Sequence, residues 1–259
     1  LKEPFVDSRD GGLRCLDFTS LFIARHYLWE KRLMKRMLVM LLVGCAVWGA
    51  SQKVQAQVTV SVDPSAAWLG YMNVSELPSN GGAFLWGSGW GTTDLVASFS
   101  GPVLTLSPNT IGDPNEYWYI GGGGPGAQGN KIMAASFYQE ATNSYSGINL
   151  TFTGKVLSNT FTSAHSTVAF IKDFAPDYSS NVPVTVPLNV DGTFSISLNT
   201  IPAPGRHVQW GFETTGVNVW VTDVAPYGNI QIIGVPEPAS LAMGALGIIG
   251  MLVVRGRRC

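Results

Sequence analysis

The chain has 259 residues, a formal charge of −1, 46% hydrophobic residues and only 13% charged ones. The charge is unevenly placed: positions 57–235 carry eleven acids against four bases, a net −7. Contact with phosphate rests on Lys and Arg, so this balance excludes a nucleic-acid binder.

Residues 1–33 begin at Leu1, are rich in charge and show no sustained amphipathic period. They are expected to be an upstream extension outside the fold. At Met34 the pattern changes. Lys35 and Arg36 form a basic n-region, Met37 to Gly49 an apolar h-region, and Val54-Gln55-Ala56 puts small residues at −3 and −1. Residues 34–56 therefore read as a signal-peptide helix, with cleavage between Ala56 and Gln57. A second reading takes Leu42-Val43-Gly44-Cys45 as a lipobox with Cys45 lipidated, although the apolar run continues past Cys45 through Trp48.

Residues 57–234 are long enough for one domain with a good core. The cysteines, Cys15, Cys45 and Cys259, all lie outside it. An exported domain without cysteine must be held by packing alone. Period-two, β-branched and aromatic runs follow one another: Val58–Val62, Trp68–Val74, Leu95–Phe99, Val103–Leu106, Tyr117–Ile120, Ile132–Tyr138 and Ile148–Phe152. They continue with Thr167–Phe174, Val182–Val186, Thr193–Leu198, His207–Phe212, Val217–Val221 and Ile230–Ile233. Turn chemistry separates them, as at Asp63-Pro64, Ser79-Asn80-Gly81-Gly82, Asp113-Pro114 and Asp191-Gly192. No window has a helical period with caps, and no repeat has the length of a propeller blade. These features predict an all-β fold, a single jelly-roll-like β-sandwich. Phe194, Ile196 and Leu198 alternate with Thr193, Ser195 and Ser197, which predicts one apolar face turned inward.

Motifs for catalysis are scarce. Gly124-Pro-Gly-Ala-Gln-Gly129 satisfies G-x-G-x-x-G, but a strand pattern follows it, so no helix N-terminus is offered to a pyrophosphate. Only His165 and His207 lie in the domain, with no thiol to complete a zinc site. A glycoside hydrolase or lyase needs two carboxylates facing across a cleft, and the eleven acids mostly sit beside turns or singly on strands. The expectation is no enzyme and no cofactor beyond a structural calcium.

Binding is better provided for. Trp86-Gly-Ser-Gly-Trp90 sets two indoles about a glycine-rich segment that is difficult to read as a buried strand. Flat apolar rings with polar edges suit the faces of sugars, so Trp86 and Trp90, with Lys131 and Asp177 on the rim, are the candidate glycan-binding residues. Trp68, Trp210 and Trp220 are expected in the core. Lys172, Asp173 and Asp177 surround a Pro turn and read as a solvated loop, with a polar binding rim as the alternative. Val219-Trp-Val-Thr-Asp223-Val224 resembles the closing strand of carbohydrate-binding jelly rolls. That likeness implies a calcium held by Asp223, with Asp63 as a further oxygen ligand; a strand-end Asp closing its own turn is the plainer alternative.

The last stretch, 235–259, has a stiff Pro236-Glu237-Pro238, an apolar run from Ala239 to Val254, and a basic end at Arg255, Arg257 and Arg258. Sixteen residues at about 1.5 Å each span roughly 24 Å as a transmembrane helix, slightly short of a hydrocarbon core about 30 Å thick. The arginines would stay cytoplasmic, leaving the domain outside. This order resembles the PEP-CTERM sorting signal, whose partner is an exosortase-type membrane transpeptidase. The resemblance implies recognition for Pro236, Glu237 and Pro238 and stop-transfer for Arg255, Arg257 and Arg258. It implies export to the cell envelope, outer surface or extracellular matrix, with transient anchoring in the inner membrane. The expected function is a non-catalytic structural or adhesive β-sandwich; the alternative is a polysaccharide-binding module.

Overall fold

The computed structural model describes residues 55–235. The upstream residues 1–33, the signal-peptide helix, Cys45 and the C-terminal span with its Pro-Glu-Pro and arginines lie outside the described residues.

The strands, in chain order, are β1 (Gln57–Ser61), β2 (Leu69–Glu76), β3 (Phe84–Trp90), β4 (Ala97–Ser100), β5 (Val103–Leu106), β6 (Thr110–Ile111) and β7 (Lys131–Thr142). They continue with β8 (Asn149–Asn159), β9 (His165–Phe174), β10 (Asn181–Pro187), β11 (Gly192–Asn199), β12 (His207–Val217), β13 (Val219–Trp220) and β14 (Ile230–Ile233). One sheet has the order β1-β8-β14-β5-β4, with β11 also paired to β8; the other runs β10-β9-β12-β7-β2-β3. From β7 onward the chain passes back and forth between the two sheets. The fold is all-β, as the alternating sequence predicts. A small parallel pairing of β6 with β13 lies apart from both sheets.

The two sheets meet through rings. Trp68 stacks on Phe137 of β7 at 4.5 Å, and Phe212 of β12 meets Phe152 of β8 at 5.4 Å and Phe194 of β11 at 6.0 Å. Burying a side chain of this size contributes about 1.5–3 kcal/mol, the main term available to a domain with no disulfide. Phe194 and Ile196 are buried while Thr193, Ser195 and Ser197 are not, so the predicted alternation of β11 places its faces correctly. Trp68 and Trp220 pack against the core, and Trp210 lies within it.

Three stretches differ from the sequence reading. Tyr117–Ile120 is a turn rather than a strand. Asp113 Oδ1 accepts from the Asn115 amide and Asn115 Oδ1 from the Tyr117 amide, which curls the backbone before it can extend. Phe84–Trp90 is a strand despite its glycines. It lies at the sheet edge on β2, and a Cβ at Gly87 would come within 2.9 Å of the Tyr71 ring, so glycine lets that ring lie across the strand. Lys172 and Asp173 are in β9, not in a solvated loop, and Asp173 is fully buried. Its Oδ1 accepts from Arg206 Nε at 2.6 Å, its Oδ2 from the Ile201 amide at 2.8 Å, and its carbonyl from Arg206 Nη2. The hydrophobic run around Asp173 concealed this pair, because the partner lies 33 residues away.

Replacing Arg206 by Ala would leave the Asp173 carboxylate buried beside a single backbone donor. The expected loss is about 3–5 kcal/mol, read as a fall in the urea midpoint with unchanged slope; a change under about 1 kcal/mol would show that the pair does not secure this end of the sheet.

Candidate functional site

The outward face of the second sheet carries a groove of ≈ 620 Å³. Strand pleat dictates what lines it. On β12, Val208, Trp210 and Phe212 point inward, so Gln209, Gly211 and Glu213 face out. Registration then sets up rows across the sheet. Lys172, Gln209 and Glu140 form one row; Phe170, Gly211, Tyr138 and Leu69 the next; Val168, Glu213, Ser136 and Tyr71 a third. Gly211 lies mid-row, where a Cβ would meet the Phe137 carbonyl at 2.3 Å and Tyr138 Cβ at 2.9 Å. The missing side chain lets Phe170, itself fully buried, and Tyr138 flank this row closely.

The polar groups are held in place. Tyr178 Oη donates to Glu140 Oε1 at 2.9 Å, and Gln209 Nε2 donates to Glu140 Oε2 at 2.7 Å. Lys172 Nζ crosses the Phe170 ring at 4.2 Å and reaches Glu213 Oε2 at 2.9 Å, where Ser136 Oγ also donates. Tyr71 and Tyr178 are exposed and Tyr138 is half-buried, so three phenol rings border the groove. Tyr178 has φ 57°, a conformation that costs a bulky residue about 1–3 kcal/mol. It stacks on the His207 ring at 4.2 Å, which fixes the phenol over Glu140. Desolvation, the hydrogen bond to Glu140 and the charge of Glu140 push the Tyr178 phenol up to about 12. Desolvation also raises the Tyr138 phenol, with Glu140 and Tyr71 adding to it.

The residues singled out in the sequence are placed as follows. Trp86 and Trp90 are half-buried and stack on each other, centroids 6.5 Å apart and planes at 26°; Trp86 also meets the edge of Trp118 and donates to Tyr117 Oη. Trp86 thereby braces β3 against the 115–120 turn, while Trp90 Nε1 donates to Ser88 Oγ. Trp90 also lines a separate cleft of ≈ 520 Å³ with Asp94, Thr110 and Val221. Lys131 is buried, paired with Glu76 at 3.0 Å over the Tyr117 ring. Asp177 closes the β9–β10 turn on Ser179, whose hydrogen bonds lower its carboxyl. Asp63 does the same with Ser65, and Asp223 Oδ2 accepts from the Gly126 amide, pinning the glycine-rich loop. Among the described residues no three His, Cys, Asp or Glu are grouped for a metal. Ala56 and Gln57 lie at the start of β1, the Ala56 carbonyl accepting from the Asn149 amide. Tyr138, Glu140 and Gln209 were overlooked because only the parity and pairing of β7 and β12 bring them to one face with Tyr71 and Tyr178.

The PEP-CTERM protein-sorting motif matches residues 234–258. The chain carries this sorting signal. Pro236, Glu237, Pro238 and the three arginines all fall inside the match, and the PEP-CTERM motif marks an exported protein sorted by exosortase to the cell surface or envelope. No curated protein matches the chain. Among solved structures, a xylanase 10C from Cellvibrio japonicus in complex with xylopentaose is 16% identical with a TM-score of 0.36, covering 68% of this chain and 27% of its own. The enzymatically active domain of tailspike protein 4 from bacteriophage CBA120 is also 16% identical, with a TM-score of 0.27, covering 53% of this chain and 18% of its own. The PEP-CTERM chain thus spans about a quarter or less of the structures it matches. Among its described residues no helix is long and apolar enough to cross a membrane.

Glu140→Gln removes the charge that disfavours the Tyr178 phenolate. In an ultraviolet titration one tyrosine should then leave the group near 12 and move toward 10, the ordinary value. Because the folded value is raised, stability from this contact is fully present below about pH 10 and is lost as pH rises through 12. An unchanged titration in the variant would place the cause of the shift elsewhere.

Proposed function

We propose that this is a surface or matrix protein whose β-sandwich acts without catalysis, holding an extracellular polysaccharide in the groove of the second sheet. The observation that carries this reading is the groove itself: three tyrosine rings beside fixed amide, hydroxyl and carboxylate groups. Saccharide recognition needs that pairing, since a sugar ring offers an apolar C–H face and a polar hydroxyl rim. Binding and adhesion are then one activity, because a protein delivered to the envelope and attached to a polymer ties the two together.

Two features support the absence of catalysis. Glu213 is registered with Ser136, four residues along β7 from Glu140. At about 3.4 Å per residue their Cα atoms are roughly 14 Å apart along the strand, on separate rungs of one sheet face and not on facing walls of a cleft. Each carboxylate also has two partners already. The Trp90 cleft is the competing location for a ligand, and substitution separates the two.

Screening the exported protein on a glycan array, with and without calcium, should find binding. Tyr138→Ala should weaken it by about fivefold or more, as loss of a stacking ring worth at least about 1 kcal/mol requires. Trp90→Ala should leave it within about twofold, well under the 1.4 kcal/mol that a tenfold change represents. The reverse ranking would move the site to the Trp90 cleft. Silence across a broad panel would leave a structural role alone.

Sorting is tested separately. With Glu237→Ala the precursor should accumulate in the membrane fraction and the surface fraction should lose the protein, followed by immunoblot. Normal surface delivery would show that the Pro-Glu-Pro segment is not read by exosortase.

A further inference from the structure

We infer that the groove selects a polymer bearing protonated amines, such as a hexosamine chain with free amino groups, over neutral or uronic-acid polymers. This rests on the reading that the groove binds polysaccharide, and it follows from the inventory of charge. Glu140 and Lys172 line the groove, and Glu213, on the same sheet face beyond the lining, takes the Lys172 ammonium, so two carboxylates share one ammonium. That ammonium is already placed on Glu213 at 2.9 Å, and it lies over the Phe170 ring. The negative charge of Glu140 therefore has no partner of opposite charge within hydrogen-bond reach. His207 Nδ1 is 3.6 Å from Glu140 Oε1, but its ring nitrogens are engaged by Thr142 Oγ1 at 2.8 Å and the Pro176 carbonyl at 3.3 Å.

A carboxylate has room for about four donors, and Glu140 holds one on each oxygen. An ammonium brings three donors and a charge. Tyr71, Tyr138 and Tyr178 add the negative faces of aromatic rings, which attract a cation close to them. A uronate would meet the same rings with the wrong sign, in a domain of eleven acids and four bases whose field already repels polyanions. Asp177, next to Tyr178 at the rim, has the same sign as Glu140.

The test is calorimetric titration of the exported protein with three hexamers: glucosamine, N-acetylglucosamine and galacturonate. Circular dichroism confirms that the Glu140→Gln variant is folded. The glucosamine hexamer should bind about tenfold or more tighter than the acetylated one, with the preference shrinking as salt shortens the Debye length. The galacturonate hexamer should not bind, and Glu140→Gln should bring the two hexosamines to near parity. Equal affinity of the wild type for both hexosamines overturns the amine selectivity while keeping the groove as a saccharide site. A preference that survives in Glu140→Gln assigns it to the overall charge and likewise overturns the inference. Absence of binding to all three hexamers and to the glycan array overturns both readings.

Discussion

Strand β12 is the constraint on which the rest depends, because its two faces have different tasks and the pleat links them. It pairs on both sides, with β7 and with β9, and so fixes the register of the strands that flank it. Val208, Trp210 and Phe212 fill the core, while Gln209, Gly211 and Glu213 face the other way and Gln209 lines the groove. A slip of one residue would expose the first set and bury the second. The cost of exposing three large apolar side chains, about 1.5–3 kcal/mol each, therefore also holds the groove residues in position. Rigidity at the site comes from the core behind it, and no separate scaffold is required.

The sequence shows the elements more readily than their neighbours. Alternation in β11 and the β-branched runs of β9 and β12 are local signals, since each side chain's face follows from its position in the pleat. The groove is not local. Tyr71, Tyr138 and Tyr178 come from β2, β7 and the β9–β10 turn, and only the order β10-β9-β12-β7-β2-β3 gathers them. What was legible was that Tyr138 and Glu140 must share a face of one strand; what that face adjoins was not. The failure at Tyr117–Ile120 has a different origin. Aromatic residues favour strands, but Asp113 and Asn115 each offer the backbone a hydrogen bond two residues on, and Gly121 and Gly122 at positive φ release the chain from extension.

The indoles of β3 show how an edge strand and a neighbouring turn share aromatic residues. Spacing of four along a strand puts Trp86 and Trp90 on one face of β3, yet an edge strand leaves space beside them that the 115–120 turn fills. Trp118 and Tyr117 close on Trp86, and the pair becomes a brace. Aromatic residues placed where a loop can fold over them gain more by burying their area than by waiting for a ligand. The tyrosines of the groove border an open surface, and the Tyr178 hydroxyl is held there by Glu140.

The placement of the two ends fits display of that face. The last strand, β14, belongs to the first sheet, where the Val235 amide donates to Ser61 Oγ at the end of β1. The sorting motif begins at residue 234, so its start is fixed to the first sheet. The groove opens on the outer face of the second sheet, with the aromatic core between the two. The described chain thus ends in the layer opposite the groove, and the core between the two is the same one that sets the parity of β12.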